Sequence, residues 1–111
     1  MDNCIFCKII KGQIPSKKLY EDDEMLAFWD IDPQAPYHFL VVPKKHVTDV
    51  AALEEADDKL VGKILRLGAR LVKENGGGDF RVICNNGPMA GQEVFHMHVH
   101  FLGGRRLGSF A

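Results

Sequence analysis

Short groups of hydrophobic residues, separated by turn residues, make up the first 45 positions of the chain. Between residues 4 and 10 the apolar side chains follow a mixed helical spacing that stops at Gly12 and Pro15, which predicts a short helix. Apolar runs at residues 19–21 and 25–31, parted by an acidic turn at 22–24, predict a hairpin. A third run at residues 39–42 lies among prolines and predicts another strand. Three strands are therefore expected before the main helix.

A longer helical pattern occupies residues 57–75 and ends at three consecutive glycines. Its apolar residues recur at steps of three and four: Leu60, Val61, Ile64, Leu65, Leu67, Leu71 and Val72. Gly68 and Ala69 permit close approach, so this wide face predicts a helix that covers a sheet and meets a second subunit. The opposite face is basic, and a solvated surface explains it better than a nucleic-acid stripe. Its residues are Lys59, Lys63, Arg66, Arg70 and Lys73.

Two further strands are predicted after the glycines, at residues 80–84 and 94–102, with a polar loop at 85–93 between them. Strands that follow strands, with one long helix between them, are typical of an antiparallel α+β domain. We expect a single domain over residues 1–111, with about five strands, one long helix and one short helix.

Composition narrows the possible partners. With 111 residues, 46% of them hydrophobic, the chain is a typical single domain whose modest core would gain from a homo-oligomeric partner. Fourteen Lys+Arg against fifteen Asp+Glu leave a net charge of -1, so no general attraction to nucleic acid or membranes is expected. No run approaches the roughly 20 apolar residues of a membrane helix, and residues 1–4 lack a secretion signal. A cytoplasmic protein with a small-molecule partner is expected.

Three cysteines without a secretion signal argue against a disulfide framework. Cys84 lies in an apolar run and is interpreted as a buried strand residue. Cys4 and Cys7 form a reduced Cys-x-x-Cys pair that needs a separate explanation.

Three histidines, His96, His98 and His100, alternate with apolar residues near the end of the chain. In a strand they share one face at about 6.5 to 7 Å intervals while the residues between them enter the core. Three interpretations are open: unrelated structural histidines, a catalytic metal site, or a reactive row beside a phosphate. The polar loop at 85–93, rich in amides and glycines, favours the third interpretation.

The run from His96 to Leu102 resembles the His-φ-His-φ-His-φ-φ signature of the histidine-triad (HIT) superfamily, where φ is hydrophobic. Gly103-Gly104-Arg105 follows it, as in the nucleotide-binding phosphoramidase branch of that superfamily. Four earlier segments are also similar to the family: residues 7–10, 14–15, 28–36 and 38–46. The resemblance covers nearly the whole chain, and five ordered segments are far more specific than a lone His-x-His.

The resemblance implies an antiparallel sheet with two helices, and a homodimer joined through the long helix and an edge strand into one continuous sheet. It implies that His98 attacks the α-phosphorus of a nucleoside phosphoramidate and forms a nucleotidyl-imidazole that water hydrolyses. The other ring nitrogen of His98 is expected to donate to a backbone carbonyl, which fixes the tautomer. His100 is expected to contact the phosphate and the departing group.

The family's nucleotide contacts correspond to further residues. Asp30 would accept from both ribose hydroxyls, with turn capping as its alternative role. Phe28 and Ile31, with Ile5, Phe6 and Ile9, would form an apolar slot for the base, although each alone is equally explained as core. Asn85, Gly91 and Gln92 would form the phosphate side. Glu93 stands where some relatives carry serine, so it either alters leaving-group preference or binds through its backbone N–H.

Bacterial relatives with this N-terminus bind a structural zinc, and the resemblance assigns that role to Cys4, Cys7, His46 and His96. Such a site would pin the N-terminal helix without touching the chemistry; an idle cysteine pair is the alternative. No carboxylate cluster suited to magnesium and no Walker-type loop occurs, which argues against kinases and NTPases. No catalytic metal is expected.

The expected function is hydrolysis of purine nucleoside 5'-phosphoramidates to AMP or GMP. A dinucleoside polyphosphate hydrolase and a non-catalytic zinc- and nucleotide-binding adaptor are the alternatives. The C-terminal tail lacks the tryptophan of the animal members, which leaves substrate breadth open.

Overall fold

The computed structural model describes residues 3–110, which form one five-stranded antiparallel sheet with helices on both faces. The strands have the spatial order β1-β2-β3-β5-β4, so β1 and β4 are the edges. The predicted α+β class with one long and one short helix is confirmed. The elements are α1 (Ile5–Ile10), β1 (Lys18–Glu21), β2 (Met25–Trp29), β3 (Tyr37–Pro43), α2 (Asp58–Glu74), β4 (Phe80–Ile83) and β5 (Val99–Gly103), with 3-10 turns at Val50–Ala52, Glu55–Asp57 and Pro88–Ala90.

Helix α2 covers one face of the sheet with the apolar side predicted for it. Ile64, Leu67 and Leu71 are buried in a core that also contains inward-facing residues of β2, β3 and β5. Gly68 lies directly over the ring of Phe101, and a Cβ atom there would clash with that ring. All five predicted basic residues of the helix are exposed, which confirms a solvated face.

The short helix α1 covers the opposite face of the sheet. Phe6 and Ile9 are buried against alternate residues of β2 and β3, which form a second core. The residues of these strands in that core are Leu26, Phe28, Leu40 and Val42. Strand β3 is wholly buried, and β2 is buried except at its last residue, Trp29. Because successive strand residues point to opposite faces, these two strands pack against both helices.

The predicted strand at residues 94–102 is wrong over its first half, because β5 begins only at Val99. Residues 94–98 leave the ladder where β3 ends at Pro43, which has no N–H to donate. The N–H of Met97 instead donates to the carbonyl of Val47 at 2.6 Å. Met97, Val99 and Phe101 still enter the core as predicted, so the alternation survives the loss of strand pairing.

Smaller differences occur at the strand ends. Strand β2 ends at Trp29, before the predicted limit at Ile31, because Asp30 begins a turn in which its side chain accepts from the N–H of Asp32. Cys84 lies one residue beyond β4 and is half-buried, so it is not the buried strand residue that was predicted. Within the described part of the chain, no helix has the length and apolar character needed to cross a membrane.

Candidate functional site

The ring of His98 lies on the side of the sheet that helix α1 covers, against Phe6. Its neighbours Met97 and Val99 are buried in the core beneath α2. The Nδ1 atom of His98 is 2.7 Å from the backbone carbonyl of His96. A carbonyl can only accept, so Nδ1 carries the proton and donates it, and Nε2 keeps its lone pair. Burial lowers the pKa of His98, so its ring is neutral at pH 7. This geometry agrees with the hydrogen bond expected from the resemblance and leaves a nitrogen free for attack.

His100 accepts the last hydrogen bond in a chain that runs from the backbone of Gln34 through the ring of His38. The N–H of Gln34 donates to Nδ1 of His38 at 3.1 Å, so the proton of His38 is on Nε2. That Nε2–H lies 2.9 Å from Nδ1 of His100 and donates to it. Nε2 of neutral His100 therefore carries a proton, which makes it a donor, in a ring centred 5.0 Å from that of His98. Burial, followed by the neighbouring His98 and His38, lowers the pKa of His100 to about 4.

Asp30 joins this chain from the turn after β2. Its Oδ2 atom is 3.4 Å from Nε2 of His38 and 4.0 Å from Nδ1 of His100. Its Oδ1 atom accepts from the N–H of Asp32, so the predicted turn-capping role is present on one oxygen. Asp30, His38 and His100 also lie close enough together to hold a metal ion.

Three of the five residues predicted for the base slot pack together, and the other two are exposed. Phe6, Ile9 and Phe28 pack together, with the rings of Phe6 and Phe28 in an edge-to-face contact at 5.5 Å. Phe6 also meets His98 edge to face at 5.0 Å. Ile5 is half exposed and Ile31 is fully exposed, so Ile31 lies at the rim and not in the packed slot.

The predicted phosphate loop is held in shape by a buried Gln92. Its Oε1 atom accepts from the N–H of Gly87 at 2.7 Å, and its Nε2 atom donates to the carbonyls of Thr48 and Val94. Its backbone N–H donates to the carbonyl of Gly87. The donors of Gln92 are therefore in use within the protein, and its role in this structure is to organise the loop.

The other loop residues remain nearer the surface. Gly91 has φ +101°, which favours glycine, and a Cβ atom there would lie 3.5 Å from the amide nitrogen of Asn85. Glu93 is exposed and lines a cavity of about 380 Å³ beside the cysteine pair, together with Ile5, Val94 and Phe95. Glu93 thus shares this cavity with Cys4 and His46.

Cys4, Cys7, His46 and His96 come together as the resemblance implies, with their ligand atoms within 4.8 Å of one another. Nδ1 of His96 is 3.3 Å from Sγ of Cys4 and 3.6 Å from Sγ of Cys7. Nδ1 of His46 is 3.4 Å from Sγ of Cys7. Tetrahedral coordination at usual zinc bond lengths separates sulfur and nitrogen ligands by about 3.5 Å.

The protonation of these side chains also suits a metal. Nε2 of His96 donates to the carbonyl of Pro43 at 2.7 Å, so Nδ1 keeps the lone pair that a metal needs. Burial raises the pKa of the Cys7 thiol, so the thiolate forms readily only where a cation compensates it. The four residues fit a structural zinc.

A larger cavity of about 610 Å³ lies elsewhere, between the glycine turn before β4 and the segment after β5. None of its lining residues is a histidine, and Arg81 and Arg105 both donate to backbone carbonyls there. The chemistry of the histidines, and not the size of a concavity, therefore locates the candidate site.

His38 is the functional residue that pattern reasoning did not single out. It pairs with Leu102 across β3 and β5, and its side chain is buried beside His100. The available signal was a single imidazole in an otherwise apolar, buried strand, where an unpaired polar group is costly.

Comparisons with known proteins agree on one family. A family model described as "Scavenger mRNA decapping enzyme C-term binding" matches residues 3–110. Protein HitA of Neisseria gonorrhoeae is 44% identical over 104 residues, which cover 93% of this chain and 97% of that protein. An uncharacterised HIT-like protein of Synechocystis is 46% identical over 105 residues, covering 94% of this chain and 92% of its own.

Solved structures agree in fold as well as sequence. A histidine triad protein from Clostridium difficile superposes with a TM-score of 0.94 at 46% identity, covering 100% of this chain and 98% of that one. A HIT family hydrolase from Legionella pneumophila superposes with a TM-score of 0.93 at 42% identity, covering 96% of each chain. With its three alternating histidines on one side of the sheet, this chain belongs to the histidine-triad (HIT) family.

Proposed function

We propose that this protein hydrolyses the P–N bond of purine nucleoside 5'-phosphoramidates, through a nucleotidyl intermediate on His98, to give AMP or GMP. The observation that carries the proposal is the buried, neutral His98 whose Nδ1–H donates to the carbonyl of His96 at 2.7 Å. A neutral imidazole with one nitrogen fixed as donor presents the other as a nucleophile. HIT family hydrolases from Legionella pneumophila and Clostridium thermocellum have the same fold, which supports hydrolytic chemistry.

In the first step, the Nε2 lone pair of His98 forms a bond to the α-phosphorus while the P–N bond breaks. The departing amine needs a proton, which a water molecule supplies, and the Nε2–H of His100, in a ring centred 5.0 Å from that of His98, is proposed to donate a hydrogen bond to the departing nitrogen. His100 stays neutral in this step, because burial and the neighbouring His98 and His38 lower its pKa to about 4. In the second step, the hydroxide left by that water attacks the phosphorus and the N–P bond to His98 breaks, which returns the lone pair to its Nε2 atom.

The remaining predicted contacts supply binding and orientation. Oδ2 of Asp30 is the oxygen not engaged in the turn and is proposed to accept from the ribose hydroxyls. The base is proposed to lie against Phe6, Ile9 and Phe28, with Ile5 and Ile31 at the rim. Asn85, Gly91 and the N–H of Glu93 are proposed to face the phosphate, within a loop whose shape Gln92 maintains.

We further propose that the protein is a homodimer joined through β4. This strand is an edge of the sheet, and Phe80 and Val82 on it are 39% and 44% exposed. Leu65 on α2 is similarly exposed. An unprotected edge beside apolar side chains is a template for pairing with a second copy.

The deciding experiment mixes the purified protein with a fluorogenic adenosine 5'-phosphoramidate and follows both turnover and quenched intact mass. The wild type is expected to turn over and to trap an AMP adduct. His98→Ala and His98→Asn are expected to lose at least a thousandfold in kcat, since the nucleophile is absent. Asn is the matched variant, because its amide can still donate to the carbonyl of His96.

Two outcomes would overturn the proposal. Loss of less than tenfold in both variants, with retained folding by circular dichroism, would remove His98 as the nucleophile. Faster cleavage of diadenosine polyphosphate than of the phosphoramidate would favour a polyphosphate hydrolase, whereas tight AMP binding without turnover would favour an adaptor.

A further inference from the structure

We infer that zinc binding at Cys4, Cys7, His46 and His96 is coupled to nucleotide binding, and that Phe6 and His96 transmit the coupling. The inference rests on the proposed nucleotide site and adds a mutual dependence to it. The metal cluster and the proposed nucleotide site share His96, and the six-residue helix α1 contacts both of them.

His96 belongs to both sites through different atoms. Its Nδ1 atom faces the thiols of Cys4 and Cys7, at 3.3 and 3.6 Å. Its backbone carbonyl accepts the hydrogen bond that sets the tautomer of His98. The residue is completely buried, and its Nε2–H is fixed to the carbonyl of Pro43. A ligand bond on Nδ1 therefore restrains the same residue whose carbonyl orients the proposed nucleophile.

Residues 94–98 lie outside the sheet ladder, so contacts with neighbouring loops hold their backbone. The N–H of Met97 donates to the carbonyl of Val47, directly after His46. Both histidines of the metal cluster thus flank the backbone contact that holds this irregular segment. Fixing their side chains to one metal ion would fix the segment from two directions.

Helix α1 supplies the second connection. Cys4 is its N-cap residue and accepts from the N–H of Cys7, and Phe6 lies between them. A helix of six residues is unstable alone, so α1 depends on its anchors. Its cysteines face the metal cluster, while the ring of Phe6 meets His98 at 5.0 Å, Phe28 at 5.5 Å and His96 at 5.9 Å.

The direction of the coupling follows from these anchors. Without a metal, the cysteines hold α1 only through thiol–imidazole contacts of 3.3 to 3.6 Å, which are weak hydrogen bonds. Two metal bonds from Cys4 and Cys7, with the other two from His46 and His96, would hold α1 against the sheet and keep Phe6 in the base slot. A nucleotide packed on Phe6 would, in return, hold α1 over the metal. Linkage requires that both effects have the same size, typically about 5- to 150-fold.

The experiment measures both directions of the linkage. AMP affinity is measured by titration calorimetry on zinc-loaded and zinc-free protein, and is expected to be at least about fivefold tighter with zinc. Zinc release from the loaded protein to an excess of chromogenic chelator is then timed with and without saturating AMP. Slower release with AMP is expected. This second measurement starts from the loaded protein, so it stands even if the zinc-free form fails to fold.

A pair of variants on α1 identifies the transmitting residue. Phe6→Ala is expected to weaken AMP binding and also to reduce the ratio of AMP affinities with and without zinc to below about twofold, against the at least fivefold of the wild type. Ile10→Val is the matched control, because Ile10 lies on the same helix without a ring contact to His98. It is expected to keep the full ratio.

The outcomes separate this inference from the proposed function. Equal AMP affinity with and without zinc, together with unchanged zinc release, overturns the coupling and leaves the proposed function intact. Failure of AMP to bind the zinc-loaded protein contradicts both. A full zinc effect in Phe6→Ala removes Phe6 as the transmitting residue.

Discussion

Protonation of individual nitrogen atoms determines the chemistry available at the site. The carbonyl of His96 places the proton of His98 on Nδ1, and the N–H of Gln34 places the proton of His38 on Nε2. The same logic makes His100 a donor at Nε2. Two neighbouring imidazoles thus have opposite roles, one with a free lone pair and one with a free proton, although both are neutral.

His38 should be required for this arrangement. In His38→Leu, Nδ1 of His100 loses the donor that keeps the proton on Nε2, and kcat is expected to fall about a hundredfold, the scale of losing one hydrogen-bond donor to the transition state. His38→Gln keeps an amide donor near that nitrogen and is expected to stay within about tenfold of the wild type. Steady-state kinetics with the phosphoramidate tests both, and an equal loss in the two variants would show that the donor is not what His38 supplies.

Stability should decline in mild acid because His100 is buried and neutral. Its pKa is about 4 in the folded protein, against about 6.5 in the unfolded chain. Between these values the unfolded chain binds the extra proton, so the stabilising contribution is complete above pH 6.5 and is lost as pH falls towards 4. Urea unfolding of metal-free protein should show a loss from His100 of about 2 kcal/mol at pH 4.5. His100→Gln should flatten the curve by that amount, and an unchanged curve would contradict the burial argument.

The sequence pattern identified the alternating histidines and the cysteine pair, whose types are unusual for their positions. Their individual roles came from the family resemblance. It assigned the hydrogen bond of His98 to a backbone carbonyl, and the geometry agrees. It did not single out His38, since one histidine in a strand is ordinary. It also placed Gln92 at the phosphate, where the structure commits its donors to loop carbonyls. Such commitments depend on tertiary neighbours that no local pattern contains.

Among the elements, the long helix α2 was the most predictable and β5 the least. The helical spacing and the glycine stop located α2 to within one residue at each end. For β5, the alternation of apolar residues was correct, but alternation does not require a hydrogen-bonded partner. Pairing of residues 94–98 was prevented by Pro43 and by the side-chain and turn contacts of the preceding loop.

Close packing of α2 on the sheet should depend on a single glycine. A Cβ atom at Gly68 would clash with the ring of Phe101, so Gly68→Ala forces the helix or the ring to move. Overpacking of this kind is expected to cost about 1 to 3 kcal/mol in the free energy of unfolding.

Gly62 provides the control on the same helix. No atom lies within 4 Å of a Cβ placed there, so Gly62→Ala is expected to stabilise the protein by about 0.5 to 1 kcal/mol through helix propensity. Chemical denaturation measures both variants. Similar effects of the two substitutions would mean that backbone freedom, and not the contact with Phe101, explains Gly68.

For the whole molecule, the sheet has one edge that is better suited to pairing than the other. Edge β1 carries the ion pair of Lys18 with Glu21, and charged edges discourage association. Edge β4 exposes Phe80 and Val82. The sequence predicted a second subunit from the wide face of α2, and the exposed edge supplies an independent reason for it.

Dimerisation should therefore fail when a charge is placed on β4. Val82→Lys is expected to shift the protein to monomers in sedimentation velocity, because an unpaired ammonium would be buried in the proposed interface. Val50→Lys replaces a valine of similar exposure, 42% against 44%, in a 3-10 turn and should leave the dimer unchanged. A monomeric wild type, or a dimeric Val82→Lys, would contradict the β4 interface.

The acceptor that orients His98 is a main-chain oxygen, and this has a consequence for how the site tolerates genetic variation. Every amino acid at position 96 supplies a carbonyl, so no codon change at that position deletes the acceptor. The effects of substitutions at position 96 in a mutational scan would therefore report only the loss of the imidazole, and not the loss of the carbonyl. An ester in place of the 96–97 amide, introduced by chemical synthesis, would weaken that oxygen as an acceptor, and it would also remove the Met97 N–H that donates to Val47. The position of this oxygen depends on the backbone conformation at His96, which the surrounding residues determine. Substitutions at those residues, and not at position 96 alone, can therefore displace the acceptor.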